Sequence, residues 1–154
     1  MKNLLTITAL SFLSACGMKE AGASGKVTGR DLFTGTYELD ESKTDANGDF
    51  FGYKGTIYVK KAGKEKIDMG FSIVKGAPSY NSGSFNETLK LEGNKATYRY
   101  ESCEVIFTFY GDSITVREDD KNSSGCGFGH GVYAHGTYYR TSSEEPDVRN
   151  PMMR

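Results

Sequence analysis

The sequence contains no tryptophan, only three prolines and only two histidines among its 154 residues. An excess of charge is also missing, because 19 basic and 20 acidic residues give a formal net charge of −1. Without a basic surplus or a polybasic stretch, the chain has no electrostatic footprint for nucleic acid. The histidines, His130 and His135, lie five positions apart, so in an extended segment they would point to opposite faces. One zinc ion would not reach both, and the sequence predicts neither a nucleic-acid partner nor a metal site.

Long apolar runs are absent except at the beginning of the chain, in MKNLLTITALSFLSAC. A short apolar region over residues 4–13, preceded by Lys2 and followed by small residues, is typical of an export signal peptide. The last four residues, LSAC, resemble a bacterial lipobox, after which a lipoprotein signal peptide is cut and the cysteine is lipidated. The resemblance implies removal of residues 1–15 and a lipid anchor on Cys16. An ordinary signal peptide that ends in a cysteine is the alternative.

The segment after Cys16, GMKEAGASGKVTGR, is rich in small residues and has no apolar periodicity. Such a composition is typical of a flexible linker, so residues 16–30 are expected to comprise the lipidated cysteine and a tether. Gly17 follows the anchor, and no Asp stands there to retain the protein in an inner membrane. The expected location is the cell envelope, lipid-anchored to a membrane. In a diderm cell this would be the outer membrane, on its periplasmic or surface face.

The sequence has three cysteines, and with Cys16 assigned to lipid the other two form a pair. In the oxidising compartment that an export signal implies, Cys103 and Cys126 are expected to form a disulfide. Closing a loop of roughly two dozen residues stabilises a fold by about 3 kcal/mol in the chain-entropy model.

The apolar residues recur with a period of two through most of the chain, and no window shows a convincing helical period. In KIDMGFSIV, for example, Ile67, Met69, Phe71 and Ile73 alternate with polar or small residues. Turn residues separate eight candidate strands, over 33–40, 52–60, 65–75, 82–92, 95–101, 104–110, 113–118 and 131–141. The pattern predicts an all-β domain over 31–141, a small eight-stranded antiparallel meander barrel of the lipocalin or avidin type. A two-sheet β-sandwich is the alternative, and residues 142–154 are predicted to form a disordered tail.

The connections between the candidate strands are alternately short and long. The even connections are the tight turns AGKE, EGN and GD, whereas most of the irregular sequence falls in the odd ones. In a meander barrel the odd connections share one end, so we expect a rim of long loops there, facing away from the tether. Aromatic residues among Ser, Gly and Asn are typical of a recognition surface, and the alternative for each of them is that its ring folds inward and plugs the barrel mouth. The candidate rim residues are Phe50, Phe51, Tyr80, Asn81, Lys121, Ser123, Phe128 and His130.

The glycine-rich stretch CGFGHG, over 126–131, raises the question of a phosphate-binding loop or a catalytic site. A dinucleotide fingerprint needs a helix after the glycines, and a Walker loop ends in Gly-Lys-Ser/Thr; neither is present here. Ser123 or Ser124 together with His130 could suggest a serine hydrolase, but the sequence lacks the Gly-x-Ser-x-Gly nucleophile elbow of that class. DANGDF resembles the start of a calcium loop but has Phe50 where that loop needs glycine. The glycines therefore indicate a tight turn into the last strand, and no catalytic residue or cofactor is predicted.

The stretch CGFGHGVYAHGTYYR resembles the C-terminal segment of small exported bacterial proteins with the pattern Cys-Gly-Phe-Gly-His-x-Val-Tyr-Ala-x-Gly-Thr-Tyr-basic. Some of these proteins are described as lysozyme-inhibitor-like, and most have no assigned function. The resemblance covers roughly a tenth of the chain. By analogy of cell address and barrel architecture, the expected function is that of a monomeric, non-catalytic binding module, an inhibitor or immunity factor against a cell-wall hydrolase such as lysozyme. Phe51, Tyr80 and Phe128 would be its anchors, with Lys121 and Ser123 as polar groups. A binder of a small apolar ligand inside the barrel is the alternative.

Overall fold

The alternation of inward apolar and outward polar residues generates a closed eight-stranded antiparallel barrel. The computed structural model describes residues 31–120 and 126–149, and of Asp120 only the backbone. The barrel strands are β1 (Gly35–Asp40), β4 (Tyr53–Lys61), β5 (Lys66–Lys75), β6 (Ser82–Glu92), β7 (Lys95–Tyr100), β8 (Cys103–Phe109), β9 (Ser113–Asp120) and β10 (Gly136–Ser142). Two short strands, β2 (Lys43–Thr44) and β3 (Phe50–Phe51), pair with each other within the first long loop.

Each barrel strand from β4 to β10 pairs with its neighbour in the chain, and β1 pairs with both β4 and β10. Tyr37 lies opposite Arg140 on one side and Ile57 on the other. Pairing of the first and last strands removes the free edges that an open meander would expose. The predicted all-β meander barrel is confirmed, and the sandwich alternative is wrong. Among the described residues, no helix is long and apolar enough to span a membrane.

The barrel interior is filled by aromatic and branched side chains. Phe71 lies at its centre, with ring centroids 5.4 Å from Phe85, 5.8 Å from Phe107 and 6.1 Å from Tyr138. Aromatic pairs in this range add to the free energy gained by burying their area. The space inside the sheet is therefore a packed core.

Arg140 closes the barrel at the end of the tight turns. Its guanidinium carbon lies 5.0 Å from the centroid of the Tyr37 ring and its Nη2 donates to the Tyr37 hydroxyl. The same nitrogen donates to the Leu32 and Gly111 carbonyl oxygens, the latter at 2.9 Å. One side chain thus joins the segment before β1 to the β8–β9 turn.

Two predicted boundaries are wrong at the C-terminal end. The last strand begins at Gly136 and not at 131, because the chain turns at Gly127 and Gly131, which have φ of 76° and 68°. Residues 142–149 also have a defined position, in contrast to the disorder predicted from 142 onward. Val148 is buried, the Asn86 side-chain Nδ2 donates to the Val148 carbonyl oxygen at 2.5 Å, and Glu145 pairs with Lys60 at 2.6 Å.

The seam between β6 and β7 is paired for only a short distance. Leu91 faces Ala96 and Glu92 faces Lys95, whereas β6 pairs with β5 from Lys90 to Ser82. Toward the end of the barrel that carries the long loops, side chains fill this seam. The Phe85 and Tyr98 rings stack there almost in parallel, with their centroids 4.0 Å apart. Closure of this part of the barrel depends on side-chain packing.

Candidate binding rim

The long loops lie together at one end of the barrel and are hydrogen-bonded to one another. The Ala77 amide donates to the Phe50 carbonyl at 2.7 Å, the Asn81 side chain to the His130 carbonyl at 2.7 Å, and the Tyr53 hydroxyl to the Gly131 carbonyl at 2.8 Å. We define the rim as residues 41–52, 76–81, 100–102 and 126–135. Clustering of the odd connections is confirmed for the described residues, and the tight turns lie at the opposite end.

A disulfide joins Cys103, at the start of β8, to Cys126, at the start of the last rim loop. Both residues are fully buried, with Cα atoms 5.2 Å apart, so the predicted pairing is confirmed. The Glu118 carboxylate is close to both sulfur atoms, and it accepts a hydrogen bond from the Ala134 amide at 2.8 Å. Because the two sulfur atoms are bonded to each other, they offer no thiolate to a metal ion.

The segment that follows Cys126 crosses the open part of the β6–β7 seam. Gly127 lies against the Tyr100 ring of β7, where an added Cβ would be 3.4 Å from the ring carbons. Two residues on, the Gly129 amide donates to the Ser82 carbonyl of β6 at 2.9 Å. We call residues 126–129 the strap. The glycines of CGFG let the backbone lie close to both strands.

Phe128, a candidate anchor of the rim, points into the barrel mouth. Its half-buried ring packs on Phe71, with centroids 5.6 Å apart. It lies directly over Gly83, where an added Cβ would come within 2.4 Å of the ring. Of the two alternatives for this ring, an outward anchor and an inward plug of the barrel mouth, the structure has the inward one, because the missing side chain at an inward position of β6 leaves room for the ring.

The other predicted aromatic residues stay at the surface. Phe51 is 46% exposed and Tyr80 is 44% exposed, while Phe50 is half-buried against Tyr80 at 5.5 Å between centroids. The Tyr80 hydroxyl donates to Asp49 Oδ1 at 2.5 Å, and this hydrogen bond raises the pKa of Tyr80. The ring of Tyr80 is thereby held in place with one face accessible.

Two further aromatic residues at the rim were missed by the sequence interpretation. Tyr133 is 50% exposed, and its ring stacks on His135 at 5.4 Å between centroids. Tyr100, at the end of β7, is 43% exposed. Assignment of residues 131–141 to a strand concealed Tyr133, because Val132 and Ala134 are buried and alternate with it. The alternation is real, although the segment is a loop.

The remaining predicted rim residues differ in their roles. The His130 side chain is exposed. The Asn81 side chain donates a hydrogen bond to the His130 carbonyl oxygen and so links two loops of the rim. Lys121 and Ser123 lie outside the described residues, as does Cys16. Neither histidine side chain hydrogen-bonds to a hydroxyl or carboxylate within the described ranges.

Burial changes the pKa of two tyrosine side chains in and near the barrel core. It raises the pKa of Tyr53 and, much more strongly, that of Tyr138, whose hydroxyl has no partner within 31–120 and 126–149. Both groups are therefore neutral at physiological pH. The described surface of the rim is aromatic and polar, and suited to contact with another molecule. No protein-family model, no curated protein and no solved structure matches this chain.

Proposed function

We propose that this protein is an envelope lipoprotein, anchored through Cys16, whose rim binds a protein partner without catalysing a reaction. The observation that supports this most is the distribution of exposed aromatic residues. Of the seven large hydrophobic residues exposed in the described structure, Phe51, Tyr80, Tyr100 and Tyr133 lie at the rim. Aromatic anchors with polar loops around them are the usual composition of a binding hot spot.

The direction of the tether is consistent with this proposal. β1 begins at the end of the tight turns, so the described part of the chain begins, at residue 31, opposite the rim. A lipid on Cys16 would then hold the barrel close to the membrane with the rim directed away from it.

We further propose that the partner is a cell-wall hydrolase such as a lysozyme, which the rim inhibits. The resemblance of CGFGHGVYAHGTYYR to small exported bacterial proteins, some of which are described as lysozyme-inhibitor-like, supports this class of partner. A glycosidase cleft carries two carboxylates on the order of 5 to 10 Å apart, which cationic and hydroxyl groups such as Lys121 and Ser123 can meet. Packing of Phe71, Phe107 and Tyr138 inside the barrel favours this proposal over an apolar ligand in the lumen.

Two matched double variants test the rim. Phe51→Ser with Tyr133→Ser removes exposed rings from the rim, and Tyr110→Ser with Tyr139→Ser removes rings of 64% and 65% exposure elsewhere on the barrel. We expect the wild type and the second variant to retain a c-type lysozyme in a pull-down and to slow its clearing of cell-wall suspensions. The first variant should lose both activities. Equal inhibition of the lysozyme by the two double variants would refute the proposal. Failure of both the wild type and the second variant to inhibit it would also refute the proposal.

Lipidation is tested separately. Metabolic labelling with a palmitate analogue should tag the wild type and leave Cys16→Ser unlabelled. Equal labelling of the two proteins would show that Cys16 is not the anchor, whatever the rim binds.

A further inference from the structure

A groove of about 430 Å³ runs along the outer wall of the barrel, below the rim. It crosses β1, β4, β5 and β6, and Tyr80 forms part of its wall. Strand register places Glu38, Thr56 and Ser72 side by side in one row across the groove. Neighbouring strands lie about 4.8 Å apart, so four strands give the groove a length of roughly 14 Å.

The row formed by Glu38, Thr56 and Ser72 carries polar side chains that have no partner within the described residues. Within the described residues, the Glu38 carboxylate and the Thr56 and Ser72 hydroxyls form no side-chain hydrogen bond or ion pair. A hydroxyl can donate one hydrogen bond and accept two, and a carboxylate accepts at both oxygens. This row therefore offers both kinds of hydrogen-bonding group to a ligand.

The charges in the neighbouring row are already compensated. Lys54 Nζ lies 3.6 Å from Asp40 Oδ2 and 5.1 Å from the centroid of the Phe50 ring. The hydroxyl and amide of Ser42 donate to Asp40 Oδ1, and these hydrogen bonds lower the pKa of Asp40. The groove consequently has little free positive charge to attract a phosphate or another anion.

An extended peptide has no backbone edge to bind here. β1, β4 and β5 are each hydrogen-bonded to a strand on both sides, so their main-chain groups are used within the barrel. Addition of a peptide strand requires a free edge. A ligand in this groove must be recognised by side chains.

We propose that this groove binds a neutral, linear oligosaccharide of two or three rings. The apolar face of a sugar ring would pack on Tyr80, and its hydroxyls would pair with Glu38, Thr56 and Ser72. The volume lies within the roughly 300–1,000 Å³ of small-molecule sites. The groove shares Tyr80 with the rim but does not rest on the proposed function, because a protein could bind the rim whether or not the groove takes a sugar.

The experiment is a titration of the ¹⁵N-labelled full-length protein in a detergent without a sugar headgroup. The probes are N,N′-diacetylchitobiose, cellobiose and, as a peptide of similar length, penta-alanine. We expect saturable shifts of the Glu38, Thr56 and Ser72 amides with at least one disaccharide, at a Kd on the order of 1 mM, and none with penta-alanine. A difference between the two sugars would identify whether an acetamido group is recognised.

Ser72→Phe fills the groove from an outward position of β5 and should weaken binding at least tenfold. The matched control is Thr115→Phe, which adds the same ring at an exposed position of β9 and should bind as the wild type does. If Ser72→Phe loses the dispersed spectrum of a folded protein, Glu38→Gln replaces it and should weaken binding severalfold.

The proposal is wrong if neither disaccharide gives a saturable shift up to about 30 mM. It is also wrong if penta-alanine shifts the same amides, or if the groove variant that is measured binds as tightly as the wild type. The rim variant Phe51→Ser with Tyr133→Ser should leave the sugar titration unchanged. Failure of the groove and failure of the rim are therefore seen in different measurements.

Discussion

The contact between Phe128 and Gly83 makes a quantitative prediction about how the strap closes the barrel. A Cβ added at Gly83 would lie 2.4 Å from Phe128 Cδ1 and 2.5 Å from Cγ, closer than atoms can approach. The ring cannot move away without leaving Phe71, on which it packs. Gly83→Ala should therefore displace the strap, and the effect should depend on the presence of the Phe128 ring.

The expected free energies follow from burial and overpacking. Overpacking a core destabilises a protein by about 1–3 kcal/mol. Replacing glycine by alanine in a strand stabilises it by roughly 0.5–1 kcal/mol, so the net effect of Gly83→Ala should be a destabilisation of about 1.5 kcal/mol. Phe128→Ala should cost about 2 kcal/mol, below the roughly 3–5 kcal/mol of a fully buried phenylalanine. Once the ring is gone, the Cβ of residue 128 still lies 2.7 Å from the added Cβ, so Gly83→Ala should cost about 0.5 kcal/mol and the coupling energy should be about 1 kcal/mol.

Equilibrium unfolding in urea, with the disulfide intact, measures all four proteins of this cycle. Circular dichroism is the suitable signal because the sequence has no tryptophan. Gly63→Ala is the control, since a Cβ at that turn position meets nothing within 4 Å and should show no coupling to Phe128→Ala. Additivity of Gly83→Ala and Phe128→Ala to within about 0.5 kcal/mol would refute the contact.

Three further substitutions have expected outcomes in the same unfolding assay. Tyr138→Phe removes a buried hydroxyl without a partner in the described structure, so stability near pH 7 should be unchanged or higher by up to about 1 kcal/mol. Burial raises the pKa of Tyr138 in the folded state, so the wild type should lose stability as pH rises above about 10, where Tyr138 ionises in the unfolded state. Tyr138→Phe should lose less stability over this range, and parallel pH profiles of the two proteins would contradict this. Arg140→Lys should cost about 2 kcal/mol, since a lysine cannot hold the Tyr37 hydroxyl and several carbonyl groups together, and a loss below about 0.5 kcal/mol would show that these bonds contribute little. Cys126→Ser should cost about 3 kcal/mol, and two free thiols in the oxidised wild type would rule out the bond to Cys103.

Most strands could be predicted from alternation alone, because each places one row of side chains in a continuous core. Closure could not be predicted in the same way, since a sandwich and a barrel both bury one face of every strand. What distinguishes them is the pairing of β1 with β10, a long-range contact that leaves no periodic pattern. Alternation also misplaced the start of β10. Val132 and Ala134 are buried, but the Ala134 amide donates to the Glu118 side chain and not to the backbone of a neighbouring strand.

The rim was predictable as a location but not residue by residue. Alternating connection lengths put the long loops at one end, and the two cysteines followed with them. The direction of a loop side chain has no such rule, so Phe128 and Phe51 were treated alike although one ring points inward and the other outward. The informative residue was Gly83: a glycine at an inward position of a long strand leaves a space that a side chain from elsewhere must fill.

The same geometry explains the CGFGHG stretch as part of the barrel's closure. β6 and β7 separate beyond Leu91 and Ala96, on the side away from their tight turn, and a barrel open there would expose the core to water. The Phe85–Tyr98 stack fills the middle of this gap, and the strap covers the end of the gap that is nearest the rim. The strap is held by the disulfide from Cys126 to β8 and by the hydrogen bond from the Gly129 amide to β6. Glycine is needed where the backbone lies on Tyr100 and Ser82, and phenylalanine where a ring must enter the mouth. Closure of the core and presentation of Tyr133 and His135 at the rim therefore depend on one loop, so a change that releases the strap should affect stability and partner binding together.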